Sequence, residues 1–201
     1  MMSYGPDYGP VNVVPFSFDL SSLVRRSVAT LYSNLVTRPT GRALRLGIES
    51  QIGEVGSCCV SILDFTEVII LDYSCADEAV AKLIQRYMQA DRPADVYFVA
   101  RGVAEQHSEP IETVLLRHRL ALVAQMNGAG FALLGDVNAE QRALWLALQQ
   151  LGCASATQLA SATARAEADA RDVLEDLARL RVVLAADPPH CYYALSSLLS
   201  A

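Results

Sequence analysis

The chain has 201 residues, of which 52% are hydrophobic and 19% charged, and its formal net charge is −6. That length holds one large domain or two small ones, and the composition supplies a packed core, which excludes wholesale disorder. No apolar run approaches the roughly 20 residues of a membrane-spanning helix, and net acidity gives little long-range attraction to phosphate backbones or anionic membranes.

The opening MMSYGPDYGPVNVVP lacks the basic-then-apolar order of a signal peptide and reads as a flexible Gly/Pro/Tyr-rich lead-in over residues 1–15. The alternating run FSFDL, Phe16–Leu20, predicts a strand. In SSLVRRSVATLYSNLV, residues Leu23, Val24, Val28, Leu31 and Leu35 fall at helical spacing and predict a helix. Thr37–Gly41, with Pro39 and a permissive glycine, predicts its end. A second short helix is expected over RALRLGIESQI.

CCVSILDF, Cys58–Phe65, is nearly continuous in apolar residues, the pattern of a strand buried on both faces, and EVIILDY repeats it more briefly. Next, CADEAVAKLIQRYMQA places Ala76, Val80, Leu83, Ile84 and Tyr87 on one helical stripe. ADVYFVAR predicts a strand, and EPIETVLLRHRLALVAQM a helix starting near Pro110. GAGFALLGDV predicts a last strand bounded by glycines. Strands alternating with helices predict an α/β sandwich up to Val137.

From Asn138 the pattern changes. NAEQRALWLALQQLG predicts a helix capped by Asn138 and stopped by Gly152. A short helix over SATQLASAT follows, and then AEADARDVLEDLARLRVV, with Val173, Leu174, Leu177 and Leu180 on one face. VVLAADPPHCYYAL predicts two short strands around a Pro-Pro turn. The change in pattern places a domain boundary near Asp136. Without a Ser/Gly-rich linker the two parts are expected to dock together instead of being freely tethered.

The five cysteines include no C-x-x-C pair, which predicts buried thiols in a reducing cytosol instead of disulfides or zinc. His190 and Cys191 are adjacent but lack a second ligand pair. His107 and His118 are expected at the surface. Asp64, Asp72, Asp77 and Glu78 at strand ends and a helix start could hold Mg²⁺, but no Gly-rich phosphate loop accompanies them and no Lys or Arg is expected beside them. No G-x-S-x-G or H-E-x-x-H motif occurs, so neither enzyme activity nor a cofactor is expected.

ILDFTEVIILDYSCADEAVAKLI, Ile62–Ile84, resembles the central segment of STAS domains, named for sulfate transporters and anti-sigma factor antagonists. On that pattern Asp64 closes a strand, Asp72 opens a turn, and Ser74 falls on the serine that partner kinases phosphorylate. Tyr73 and Cys75 depart from the usual serine and glycine, and DYSCADEAVAKL is closer to the STAS-like subfamily, in which phosphorylation is much less established. The resemblance extends in element order from Phe16 to Val137. It implies a partner-binding or phospho-switch surface at Asp72, Tyr73, Ser74, Asp77 and Glu78, and a kinase-like ATPase as partner. The residues alone also support a simpler role for Ser74. As a helix N-cap with Asp77 three positions on, it fits a capping box.

The pattern TQLASAT…VLEDLARLRVV…YYAL resembles the winged-helix domains of bacterial regulators over 138–201. Together the two resemblances imply an α/β STAS-like sandwich, 16–137, followed by an α+β winged-helix domain. The implied protein is a non-enzymatic, cytoplasmic bacterial regulator that docks a protein partner and does not enter a membrane, with homodimerisation open. The alternative is a transcription regulator that binds DNA through Arg165 and Arg171. Against it, the chain from Asp136 onward carries five arginines, no lysine and eight acids, which weakens the counterion-release contribution to DNA affinity.

Overall fold

The computed structural model describes residues 25–55, 58–186 and 191–199. The expected lead-in, the strand Phe16–Leu20 and the Pro-Pro turn lie outside them. In chain order the first elements are β1 (Arg25–Thr30), β2 (Asn34–Leu35), α1 (Arg38–Val55), β3 (Cys58–Asp64) and β4 (Ile70–Leu71). A helical stretch follows in three pieces, α2 (Tyr73–Ala76), a π-helical turn (Asp77–Ala81) and α3 (Lys82–Met88). Then come β5 (Asp95–Val103), α4 (Glu105–His118), β6 (Ala121–Met126) and β7 (Gly130–Gly135). The remainder is α5 (Ala139–Leu151), β8 (Cys153–Ser155), α6 (Ala156–Thr163), α7 (Glu167–Arg179), β9 (Val183–Ala186), β10 (Cys191–Ala194) and a 3₁₀ turn (Leu195–Leu198).

The protein is a mixed α/β structure. A five-stranded sheet runs in the order β1-β3-β5-β6-β7, parallel except for the antiparallel hairpin of β6 and β7. Because strand side chains alternate between faces, the sheet has two apolar surfaces. Cys59, Leu63, Val96, Phe98, Leu122 and Leu134 pack with Leu44, Ile48, Leu83, Tyr87, Ile111 and Leu115 from α1, α3 and α4. Val60, Ile62, Tyr97, Val99, Val123 and Leu133 pack with Leu144, Trp145, Leu148, Leu159, Leu174 and Leu177 from α5, α6 and α7. The chain after Val137 therefore covers one face of the sheet. Arg181 ties the layers further. Its Nε donates to the Val96 carbonyl at 2.8 Å, its Nη2 to Asp95 at 2.6 Å, and its guanidinium stacks 4.3 Å from the Tyr97 ring centre.

Three sequence expectations change. The helix expected over Ser21–Val36 is strand and connecting loop where described. In β1, Ser27 and Ala29 point into the core while Val28 is exposed, so the helical spacing of the larger side chains is coincidental. Thr37–Gly41 begins a helix instead of ending one. Pro39 is tolerated in its first turn, where backbone N–H groups lack partners, and the Thr37 hydroxyl accepts the Thr40 N–H at 3.3 Å. Gly41 serves close packing, since a Cβ there would come within 2.8 Å of the Cys75 carbonyl oxygen. Finally, the helix expected over Glu109–Met126 begins earlier, with Pro110 inside it, and ends at His118. Arg119 takes the left-handed C-cap conformation (φ 55°), and the apolar tail becomes β6.

Several other expected elements agree with the described residues. β3 is buried on both faces, and so is the stripe of Ala76, Val80, Leu83, Ile84 and Tyr87. The glycine-bounded strand is β7, entered by a hairpin turn in which Gly128 and Gly130 have positive φ. α5 starts at a capping box in which Asn138 accepts the Gln141 N–H at 2.8 Å, and it stops at Gly152. β9 and β10 pair antiparallel, and β8 joins them in the order β8-β10-β9. Among the described residues no helix is long and apolar enough to cross a membrane.

Candidate functional site

The segment from Asp64 to Glu78 lies at the ends of β1 and β3 and carries most of the residues singled out from the sequence. β2 and β4 form a separate parallel ribbon there, with Asn34 beside Ile70 and Leu35 beside Leu71. The Ser33 carbonyl accepts from the Ile69 and Ile70 N–H groups at 2.8 and 3.1 Å. Leu35 and Leu71 point inward and are buried. Besides the exposed Ser33 and Asn34, large apolar side chains also face solvent here: Tyr32, Val36, Ile69, Ile70 and Tyr73 remain between 43% and 68% exposed.

Asp72, not Ser74, caps the helix that follows. Its carboxylate accepts the Cys75 N–H at 2.7 Å, while Ser74 sits inside the first turn and donates its hydroxyl to the same carboxylate at 3.0 and 3.2 Å. The capping box expected between Ser74 and Asp77 therefore does not form. An aspartate one residue before Tyr73 has the β-region backbone a cap requires (φ −92°, ψ 163°), and it takes the role first. Tyr73 donates its hydroxyl to Glu109 at 2.9 Å, and that bond, with burial and the Glu109 charge, raises the phenol above its ordinary pKa.

Asp77 and Glu78 face away from this surface into the protein. Both are buried, and the π turn that contains them closes with the Lys82 N–H on the Asp77 carbonyl. π turns inside helices concentrate at functional sites. Asp77 meets Arg38 at 3.0 Å and His118 Nε2 at 2.7 Å, and Glu78 meets Arg38 at 2.9 Å and Lys82 at 2.5 Å. Burial alone would raise both carboxyls. The hydrogen bonds of His118 and Arg38 on Asp77, and of Lys82 and Arg38 on Glu78, outweigh it and hold both below the usual carboxylate range. Asp64 is likewise pulled down against its burial by Arg101, at 2.5 Å, and by Thr66.

For Asp64, Asp77 and Glu78 these pairings correct the expectation that no Lys or Arg stands beside the acids. Most of their cations come from α1, β5 and α4, distant in sequence, and no local motif announces them. The acids are not gathered into one site: Asp64 is engaged by Arg101, Asp72 caps a helix, and Asp77 and Glu78 share a separate ionic cluster. Among the described residues no group of three or more His, Cys, Asp or Glu is placed to hold a metal ion.

His107, expected at the surface, is buried, with its ring 6.4 Å from that of Phe65, and His118 is half-buried on Asp77. His190 lies outside the described residues. The cysteines divide. Cys59 and Cys75 are buried, whereas Cys153 is exposed and Cys191 half-buried. Burial, reinforced by Asp72 and Glu78, pushes the Cys75 thiol up to about 11.

Arg165 and Arg171 sit far along the chain from this surface and are engaged internally. Arg165 pairs with Glu140 and Arg171 with Glu167. The exposed apolar residues Tyr32, Val36, Ile69 and Ile70 are the part of the surface that sequence reading missed. Both isoleucines look like strand core, but the pairing of β4 with the two-residue β2 turns Ile70 outward and Leu71 inward, and Ile69 precedes the strand and is exposed. Neither a protein-family model nor a curated protein matches the chain.

Proposed function

We propose that this is a non-enzymatic regulatory protein whose surface around Ser74 docks a protein partner. The observation that carries the reading is the apolar patch of Tyr32, Val36, Ile69, Ile70 and Tyr73 on the β2–β4 ribbon, beside the Asp72–Ser74 turn. Exposed clusters of large apolar side chains mark interaction surfaces. Acids rim this one: Glu67 and Glu109 are exposed and Asp72 is half-exposed. A complementary partner presents apolar side chains within a basic rim.

The fold reading is a STAS-like α/β sandwich over residues 16–137 and a winged helix over 138–201. Its supports are the strand–turn–helix at Asp64–Ser74, and three helices with a small sheet ordered β8-β10-β9. On the resemblance, the partner is a kinase-like ATPase and the setting the bacterial cytoplasm. Ser74 suits a switch because its hydroxyl holds the cap residue. A phosphate there would remove that donor and set negative charge against Asp72.

A photoreactive amino acid placed at Ile70, and separately at Leu151 at the end of α5, tests the docking reading in cells. One discrete crosslinked protein from Ile70 and none from Leu151 is the expected result. Equal, diffuse labelling from both would overturn it.

A further inference from the structure

The C-terminal halves of α1 and α3 and the loop leading into β5 line a cavity of about 440 Å³, within the roughly 300–1,000 Å³ of small-molecule sites. It shares no residue with the patch at Ile69 and Ile70. Ile52 and Tyr87 are each 1% exposed and, with Pro93 and Ala94, give the cavity an apolar lining. The Tyr87 ring is held edge-on against Phe98, centroids 5.4 Å apart, yet its hydroxyl has no hydrogen-bond partner among the described residues. Burial first, then the Glu49 charge, raises the phenol above its ordinary pKa, which keeps it protonated and able to donate at neutral pH. Glu49 and Arg86 border the same cavity with bonding capacity left over. Glu49 engages Arg45 at 3.0 Å through Oε1. Arg86 makes both of its bonds, to Gln89 at 3.2 Å and Asp91 at 3.1 Å, through Nη1 alone. Glu49 Oε2 and Arg86 Nε and Nη2 therefore have no hydrogen-bond partner among the described residues. Gly53 lines the cavity too, and a Cβ there would meet nothing within 4 Å.

We propose that this cavity binds a small zwitterion, an α-amino acid with an apolar side chain. The Tyr87 hydroxyl and the Arg86 guanidinium donate to its carboxylate, Glu49 accepts from its ammonium, and the apolar lining takes its side chain. One cation and one anion on the protein match a ligand that carries one of each. A simple amine would leave Arg86 unmatched, and a simple carboxylate would leave Glu49 unmatched. Desolvating a charge without a partner is costly, so the pair selects against both.

The test is ligand-observed NMR saturation transfer on the full-length protein, with L-leucine, L-methionine and L-phenylalanine as probes. At least one should bind. Leucine methyl ester, which lacks the carboxylate, and isocaproate, which lacks the ammonium, should not. That comparison is made on the wild type and is independent of any variant's folding. Tyr87→Phe keeps the ring in the core and should weaken binding about tenfold. Gly53→Met extends into the open space and should abolish binding. Binding by none of the three amino acids, equal binding of the ester or of isocaproate, or affinity unchanged in either variant would overturn the proposal.

Discussion

Ser74 and Asp72 form a local unit in which the serine hydroxyl donates to the carboxylate that caps the helix, at 3.0 and 3.2 Å. The serine supports the cap instead of being the cap. Asp72→Ala removes the acceptor for Cys75 N–H and for Ser74 together, and should cost about 1–2 kcal/mol of stability. Ser74→Ala removes one donor and should cost about 0.5–1 kcal/mol. Urea denaturation of the two variants checks the order. A larger loss for Ser74→Ala would mean that the serine is the principal cap.

The ionic cluster around the π turn makes stability depend on acid. Asp77 and Glu78 have folded pKa values below the ordinary carboxylate range of about 4. As pH falls through that range the unfolded chain takes up protons first, so stability falls. The contribution is present above the ordinary carboxylate pKa and lost as pH drops through the folded values. Asp77→Asn with Glu78→Gln should lower stability at neutral pH by about 2–3 kcal/mol, at the low end for buried pairs because Arg38 and Lys82 remain partly in water. The same double variant should flatten the acid dependence in urea titrations carried from neutral pH into the acid range. An unchanged slope would show that other carboxylates set it.

Much of the fold was legible from hydrophobic period. β3, β5, β7, α5, α6 and the β9–β10 pair follow from local pattern, and Asn138 and Gly152 mark the ends of α5 as read. The failures have local causes. Small inward residues, Ser27 and Ala29, hid β1, and a non-glycine C-cap, Arg119, hid the passage from α4 to β6. The site was half legible. Asp72–Ser74 stood out as a strand–turn–helix junction, but the cations on Asp77 and Glu78 and the outward turn of Ile70 depend on long-range pairing.

Because α5, α6 and α7 cover one face of the sheet, the described chain should unfold as one unit. Trp145, the one tryptophan of the sequence, lies buried in α5 within that shared core. Its fluorescence should therefore follow the same urea transition as far-ultraviolet circular dichroism. Two separated transitions would show independent domains. Arg181→Ala, which loses the Asp95 and Val96 bonds and the Tyr97 stack, should shift the common transition by about 1–3 kcal/mol.

DNA binding should be weak. Arg165 and Arg171 are already paired with Glu140 and Glu167, and the surrounding charge is acidic. Crosslinking in native cells followed by sequencing of attached DNA should show no discrete sites. Enriched sites that disappear with Arg165→Ala plus Arg171→Ala would make the protein a transcription regulator instead.

The most direct test of the account is the affinity of the purified partner captured at Ile70 for three forms of the protein: wild type, Ile70→Asp and Leu151→Asp. Both substitutions fall on half-exposed apolar residues. The account predicts at least a tenfold loss for Ile70→Asp, about 1.4 kcal/mol, and no change for Leu151→Asp. Equal affinity across all three would contradict it.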